Sequence, residues 1–215
     1  ALYKIGYDEI TIKFEEPFTH HYRVNEKKKV ISVLHEIANR LSGFEIIQQK
    51  ENFCVIKQMS EPSKKEFEVA LRRVFLLLID TSKDLLDAAK NKDMVLADTI
   101  EEKHDTVMTF TSYCLRLLNK VGYDNYKKTI ILYHIVSNLD KIVDVLKYSA
   151  RDLIAFRFTL NKESKKVLED IDKSISMYYD FFYKFDTKKI QTLYGNRDKI
   201  LKSIRKLAKK CTPME

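Results

Sequence analysis

The chain has 215 residues, which is long enough for one large domain or two small ones with their own hydrophobic cores. Four glycines, three prolines, 33% charged and 45% hydrophobic residues are typical of long amphipathic helices, so a mainly α-helical protein is predicted. So few glycines exclude enzymes built on glycine-rich phosphate loops, and the formal charge of +8 is a weak clue because basic and acidic residues are interspersed.

The sequence also bears on location. It contains no run of about eighteen apolar residues, which excludes a transmembrane helix, and no charged-then-apolar signal sequence. Its three cysteines lie far apart and are odd in number, which is typical of reduced thiols. A cytoplasmic protein is expected.

Residues 1–60 are predicted to form a small β-α-β-β domain. Residues 7–14 alternate apolar and polar side chains as a half-buried strand does, and Asn25 is suited to cap a helix that runs to about Leu41. Two further strands follow, Phe44 to Gln48 and Phe53 to Gln58. His20 and His21 fall in the predicted loop after the first strand, where we interpret them as surface residues.

Residues 61–215 are predicted to form an antiparallel helical bundle of about five helices. One full three-helix repeat covers residues 61–159, and a faint repetition at an offset of 93 residues predicts a partial second repeat over 160–211. The first helix carries a strongly apolar stripe, which consists of Phe67, Leu71, Val74, Phe75, Leu78, Leu85 and Leu86.

Four acids occupy a helical spacing that normally carries apolar residues. Asp98, Glu101, Glu102 and Asp105 stand at i, i+3, i+4 and i+7, and none has a Lys or Arg three or four residues away. Like charges at this spacing cost about 0.2–0.5 kcal/mol each, so a group outside the helix must compensate.

The next helix carries acids four residues apart, Asp140 and Asp144. If the two helices are antiparallel neighbours, their carboxylates can share a cation such as Mg²⁺, Ca²⁺, Mn²⁺ or iron. The alternative is a solvated acidic face that is neutralised by lysines of other helices.

These segments resemble a known family. Glu101-x-x-x-Asp105 together with Leu139-Asp140-Lys141-Ile142-Val143-Asp144 is similar to the (E/D)xxxD motif of the PhoU family. Gly43 to Ile47, Cys54 to Lys57 and Leu71 to Leu78 resemble archaeal members in which an AbrB-like domain precedes the PhoU region. The resemblance implies a non-enzymatic regulator of phosphate uptake and phosphate signalling, whose partner is a phosphate transporter or a signalling protein. The upstream DNA-binding part is expected to be absent.

The resemblance also implies a metal site. Glu101, Asp105, Asp140 and Asp144 are its expected ligands, with Asp98, Glu102 and His104 as additional candidates. Iron is the metal that the family implies, and Zn, Mn and Mg are alternatives. The sequence departs from the family pattern at Lys141 and Val145, which leaves the number of ions open.

Two other classes of function fit parts of the sequence. Glu101-Glu102-Lys103-His104 is an ExxH unit of the kind found in di-metal carboxylate enzymes, but such enzymes need a second unit, and none occurs here. A DNA-binding or transcription-associated regulator is the other alternative. It would use the basic face of the last helix, which consists of Lys199, Lys202, Arg205, Lys206, Lys209 and Lys210.

An aromatic stripe follows in the second repeat. Tyr178, Phe181, Phe182 and Phe185 stand at i, i+3, i+4 and i+7, so they share one helix face. They are expected either to pack within the bundle or to form the interface of a homodimer.

Overall fold

A computed structural model describes residues 1–21, 25–157 and 159–211. Over these residues the protein is mainly helical, with small antiparallel sheets near the N-terminus and long helices after them, which confirms the predicted fold class. The elements are β1 (Glu9–Lys13), β2 (Phe18–His21), β3 (Glu26–Lys29), α1 (Val30–Ala38), β4 (Phe44–Gln49), β5 (Phe53–Gln58), α2 (Lys64–Asn91), α3 (Met94–Lys120), α4 (Tyr126–Phe156), α5 (Lys162–Tyr183) and α6 (Thr187–Cys211).

The three predicted strands form one antiparallel sheet in the order β1-β5-β4. In β1, Ile10 and Ile12 are half-buried while the residues between them are exposed, as the alternation predicts. Ile10 pairs with Ile56, and Ile12 pairs with Cys54. The core of this region consists of Tyr3, Leu34, Ala38, Phe44, Cys54 and Ile56.

A second, two-stranded sheet replaces part of the predicted helix. Strand β2 contains His20 and His21, which were expected in a loop, and it pairs with β3, so the prediction that a helix begins near Asn25 is wrong. Asn25 has a φ of 53°, a left-handed conformation that Asn tolerates in turns as readily as it caps helices. Helix α1 instead begins at Val30, and its N-cap, Lys29, makes no side-chain capping hydrogen bond.

The five helices α2 to α6 lie within residues 61–215, where about five helices were predicted. Every member of the predicted apolar stripe of α2 is buried, with exposed fractions from 0% to 8%. Gly122, two residues after the end of α3, adopts a φ of 69°, and its N–H donates to the carbonyl of Leu117. Phe158, which belongs to the predicted full repeat 61–159, lies outside the described residues.

The Cα packing divides the chain into two compact units. The first consists of Ala1–Arg73 and Met108–Asn138, and the second consists of Val74–Val107 and the chain from Leu139 onward. Helices α2, α3 and α4 each contribute residues to both units. The domain boundary predicted near residue 60 stays a prediction.

Candidate metal centre

His104 is the buried member of the acidic segment of α3. It is 3% exposed, and Ile100 and Val107, on the same side of the helix, are fully buried. The i−4 and i+3 spacing places all three side chains on the apolar face of α3. A polar group buried in this way needs hydrogen-bonding partners.

Two acids lie beside the imidazole on the same helix. Glu101 and Asp105 are half-buried, and one ligand atom from each of Glu101, His104 and Asp105 lies within 4.8 Å of the other two. His104 Nδ1 is 3.3 Å from Asp105 Oδ1. Among the described residues this is the group of three or more His, Cys, Asp and Glu side chains with the spacing of a metal site.

The other ring nitrogen of His104 faces α4. His104 Nε2 is 2.9 Å from Asp144 Oδ1 and 3.0 Å from Lys147 Nζ. Lys147 Nζ also donates to Asp144 Oδ1 at 2.8 Å, and Lys147 is only 7% exposed. The acidic segments of α3 and α4 therefore meet through His104, with a buried lysine beside them.

The electrostatic state of Asp144 follows from these neighbours. Burial acts to raise its pKa, but the hydrogen bonds from Lys147 and His104 outweigh burial and hold the pKa below its usual value. Asp144 is therefore an anion at neutral pH, so its carboxylate can accept hydrogen bonds from a protonated Nε2 of His104 and from the ammonium of Lys147.

Two proton positions on His104 fit the distances. With the proton on Nε2, the ring donates to Asp144 and Nδ1 directs a lone pair towards Asp105, but the ammonium of Lys147 then lies 3.0 Å from a nitrogen that cannot accept its hydrogen bond. With the proton on Nδ1, the ring donates to Asp105, and Nε2 accepts from Lys147. The first arrangement places the Nδ1 lone pair 3.3 Å from the carboxylate of Asp105.

Glu101 has a cationic partner from α4. Arg151 donates from Nε to Glu101 Oε2 at 2.9 Å and from Nη2 to Glu101 Oε1 at 2.7 Å, a bidentate pair. The carboxylates of Glu101, Asp105 and Asp144 are thus accompanied by the cations of Lys147 and Arg151. One negative charge is left over among these five groups when His104 is neutral.

The other predicted ligands lie outside the group of three. Asp98 and Glu102 are exposed on α3, and Asp140 is half-buried on α4, one helical turn before Asp144. Glu101, Asp105 and His104 come together, while Asp144 contacts the far side of the imidazole. Both acids of the (E/D)xxxD pair on α3 therefore belong to the group of three, whereas the pair on α4 reaches that group through Asp144.

Sequence reasoning missed Lys147 and Arg151. A usable signal exists for Lys147, because it stands at i+4 from Val143 and i−3 from Ala150, which are buried residues of α4. A lysine within an apolar stripe predicts a buried ion pair. Arg151 is exposed and carries no such signal.

The aromatic stripe of α5 is divided between two environments. Tyr178 and Phe182 pack against the buried Phe75 of α2, with ring centroids 5.7 and 5.1 Å from it. Phe181 and Phe185 contact each other at 5.3 Å, and Phe185 is 70% exposed. Packing within the bundle accounts for the first pair of rings.

No protein-family model, curated protein or solved structure matches the chain. Among the described residues, none of the helices has the length and apolar character needed to span a bilayer. The fold and the site together define a helical bundle with a small antiparallel sheet and a cluster of acidic and imidazole side chains.

Proposed function

We propose that Glu101, His104 and Asp105 bind a divalent transition metal ion, and that the chain is a metal-dependent, non-catalytic regulator of phosphate uptake similar to PhoU proteins. The observation that carries the proposal is the buried imidazole of His104, which has carboxylates on both of its nitrogen sides. The regulatory role rests on the resemblance of the acidic motifs, because a helical bundle by itself supports many functions.

In the proposed site Nδ1 of His104 is the ligand atom. Its other nitrogen then carries the proton and donates to Asp144, which is the arrangement that metal-bound histidines commonly adopt. A cation at Nδ1 offsets the repulsion between its lone pair and the carboxylate of Asp105, 3.3 Å away. Lys147 is hydrogen-bonded to Asp144, and its positive charge compensates the negative charge of that carboxylate.

The donor set narrows the choice of metal. One imidazole with two carboxylates suits iron, manganese or zinc, because imidazole favours these over Mg²⁺ and Ca²⁺. Iron is the metal expected from the family resemblance. Three protein ligands would leave further coordination positions for water or an anion.

The metal site is tested with a pair of histidine variants. Protein purified without chelator is analysed for bound metals and then titrated anaerobically with Fe²⁺, Mn²⁺ and Zn²⁺ in a calorimeter. We expect one ion per chain in the parent and loss of that ion in His104→Gln. The matched control is His134→Gln, which changes an exposed histidine of α4 and should bind metal like the parent.

Two results would contradict the metal site. One is a parent chain that binds none of the three ions at millimolar concentration. The other is a His104→Gln variant that keeps the parent's ion while melting at the same temperature. A melting scan of both variants separates loss of metal from loss of fold.

The regulatory role is tested in cells, and an oxygen-consumption assay distinguishes it from an enzymatic role. Expression of the chain should change the rate of phosphate uptake, and His104→Gln should abolish that change while His134→Gln keeps it. Oxygen consumption by the iron-loaded protein should stay at the level of free iron. Sustained turnover of oxygen would favour the di-metal carboxylate enzyme instead.

We also propose a homodimer that uses the outer pair of rings on α5, Phe181 and Phe185. The contact of these two rings and the high exposure of Phe185 support this choice. A two-fold axis would let the same apolar patch cover its own copy.

A further inference from the structure

Helix α6 carries the net charge of the chain. Its 25 residues contain nine lysines and arginines and one acid, Asp198, which gives a formal charge of +8. The whole chain also has a charge of +8, so the remaining 190 residues are neutral, with 30 basic and 30 acidic side chains. The excess positive charge of the sequence is therefore located in one helix.

The basic residues of α6 form a stripe on one side of the helix. Lys199, Lys202 and Lys206 stand at i, i+3 and i+7, so they lie one above the other on the same face. Each is exposed to solvent. We call the following exposed residues the basic stripe: Lys188, Lys199, Lys202, Arg205, Lys206 and Lys209.

Acids on the neighbouring helix compensate only part of this stripe. Lys199 contacts Asp170 of α5 at 2.7 Å, and Lys206 contacts Glu163 of α5 at 3.3 Å. Among the described contacts, Lys202 and Arg205 have no acidic partner. Exposed cations at this density repel one another, which a polyanion would relieve.

The opposite side of α6 argues against a lipid surface as the partner. Helices that lie in a membrane interface combine a basic face with exposed large apolar side chains such as Trp, Phe and Leu. Helix α6 contacts α5, and its apolar Leu193, Ile200 and Leu207 are half-buried. It contains no Phe or Trp, and the exposed Tyr194 and Ile204 are too few to form a continuous apolar face for insertion into a bilayer.

The composition of α6 also favours duplex over single-stranded nucleic acid as the partner. Single strands are bound by series of aromatic rings on which bases stack, and α6 has one aromatic residue, Tyr194. A straight row of lysines instead matches the regularly spaced phosphates of a duplex. We propose that the basic stripe of α6 binds the phosphate backbone of duplex DNA without sequence preference.

Fluorescence anisotropy with a labelled duplex of about 20 base pairs tests the proposal across a range of salt concentrations. The parent should bind with a Kd of about 1–100 µM near physiological salt, and its affinity should fall steeply as salt rises. Lys202→Gln with Arg205→Gln should weaken binding about tenfold or more and reduce the slope of log K against log salt by about 1.8.

The matched control removes the same charge elsewhere. Lys127 and Lys128 are exposed at the start of α4, and Lys127→Gln with Lys128→Gln should leave DNA binding nearly unchanged. Lys202→Arg, which keeps the charge, should bind like the parent. Both results support the basic stripe as the contact surface.

Three outcomes would overturn the proposal. The parent shows no binding to the duplex at about 50 mM salt. The control pair loses as much affinity as the stripe pair, which would mean that only total charge matters. The chain binds vesicles of phosphatidylglycerol and phosphatidylcholine more tightly than duplex DNA, which would assign the stripe to a membrane surface. The metal ligands are unchanged in every variant, so failure here leaves the metal site untouched.

Discussion

At the scale of single residues, Asp144 determines what the imidazole of His104 can do. Its carboxylate lies 2.9 Å from Nε2 and is held ionised by Lys147. A negative acceptor at Nε2 favours the tautomer in which Nδ1 carries no proton and can bind a cation, whereas the ammonium of Lys147, 3.0 Å from the same nitrogen, favours the other tautomer. Asp144, which the sequence predicts as a metal ligand, thus contacts the ring nitrogen of His104 that lies opposite the proposed metal.

Replacing Asp144 by Asn tests this outer position. The amide keeps the shape of the side chain but removes its charge, so we expect metal affinity to fall about 10–100-fold. Asp105→Asn should lose metal almost completely. Calorimetric titration measures both, with Asp124→Asn, an exposed acid before α4, as the control. If Asp144→Asn loses metal as completely as Asp105→Asn, Asp144 is a direct ligand; if it binds like the parent, Asp144 has no part in the site.

Arg116 is the second residue whose surroundings stand out. It is 1% exposed and donates to the carbonyls of Tyr3 at 3.0 Å and Tyr7 at 2.8 Å. It also donates to Asp8, and its guanidinium lies over the rings of Tyr3 and Phe44. One side chain of α3 therefore holds the segment before β1 in place.

Arg116→Met should destabilise the protein by about 3 kcal/mol, because the buried carbonyl of Tyr3 and the partly buried acceptors of Tyr7 and Gln58 lose their donor at once. Urea unfolding followed by circular dichroism measures the loss. Arg73→Met, which alters an exposed arginine of α2, should change the free energy of unfolding by no more than about 0.5 kcal/mol. Equal stability of Arg116→Met and the parent would show that the buried guanidinium contributes nothing net.

The pairing of Asp8 adds a pH dependence to the same region. Hydrogen bonds from Lys120 and Arg116 lower the pKa of Asp8 despite partial desolvation. An acid with a lowered pKa in the folded state stabilises the fold above its ordinary pKa and loses that contribution as the pH falls through the lowered value. The loss on acidification should be smaller in Arg116→Met, where one of the two donors is gone.

At the scale of elements, helix α5 shows how one amphipathic face can serve two purposes. Tyr178 and Phe182 are accounted for by contact with Phe75 of α2. Phe181 and Phe185 contact each other, and Phe185 is mostly exposed. Phe185, the exposed ring of the stripe, and its neighbour Phe181 are therefore assigned to the proposed homodimer.

The homodimer is tested by Phe181→Asp with Phe185→Asp, analysed by gel filtration with light scattering. The parent should have the mass of two chains, and the variant the mass of one, because a carboxylate in an apolar interface costs several kcal/mol to desolvate. Phe156→Asp is the control, since Phe156 of α4 is equally exposed. A parent that elutes as a monomer, or a variant that stays dimeric, would remove the dimer.

The hairpin of β2 and β3 is the element that the sequence did not predict. Asn25 and the lysines after it are compatible with a helix start, and local propensity does not exclude that alternative. Cross-strand partners decide the matter, since Phe18 pairs with Lys29 and His20 with Lys27. The ammonium of Lys28 also reaches Glu36 of α1 at 2.9 Å, a contact that depends on the hairpin position.

At the scale of the whole molecule, the two proposed sites have opposite character. The metal centre is partly buried and carries excess negative charge, while α6 carries the positive charge that gives the chain its net value. The overall composition shows only that basic and acidic residues are interspersed along the chain. Their separation becomes visible only when charges are assigned to elements, and it is the reason that two independent ligands are proposed.

The sequence by itself determined the helices and the spacing of the acids along them. Apolar residues repeat every three to four positions from Lys64 onward with few glycines or prolines, and this period is a local property of the chain. Glu101, His104 and Asp105 lie within one helical turn of one another, so their proximity could also be predicted from the sequence.

Only the tertiary structure decided which groups of other helices pair with the acidic segment of α3. Asp144 and Lys147 reach His104 across 40 and 43 residues of sequence, and Arg151 reaches Glu101 across 50. Spacing along a helix fixes neighbours within that helix and says nothing about the register against the next one, which side-chain packing sets. The cation that the isolated α3 sequence lacks is supplied by α4 through that packing.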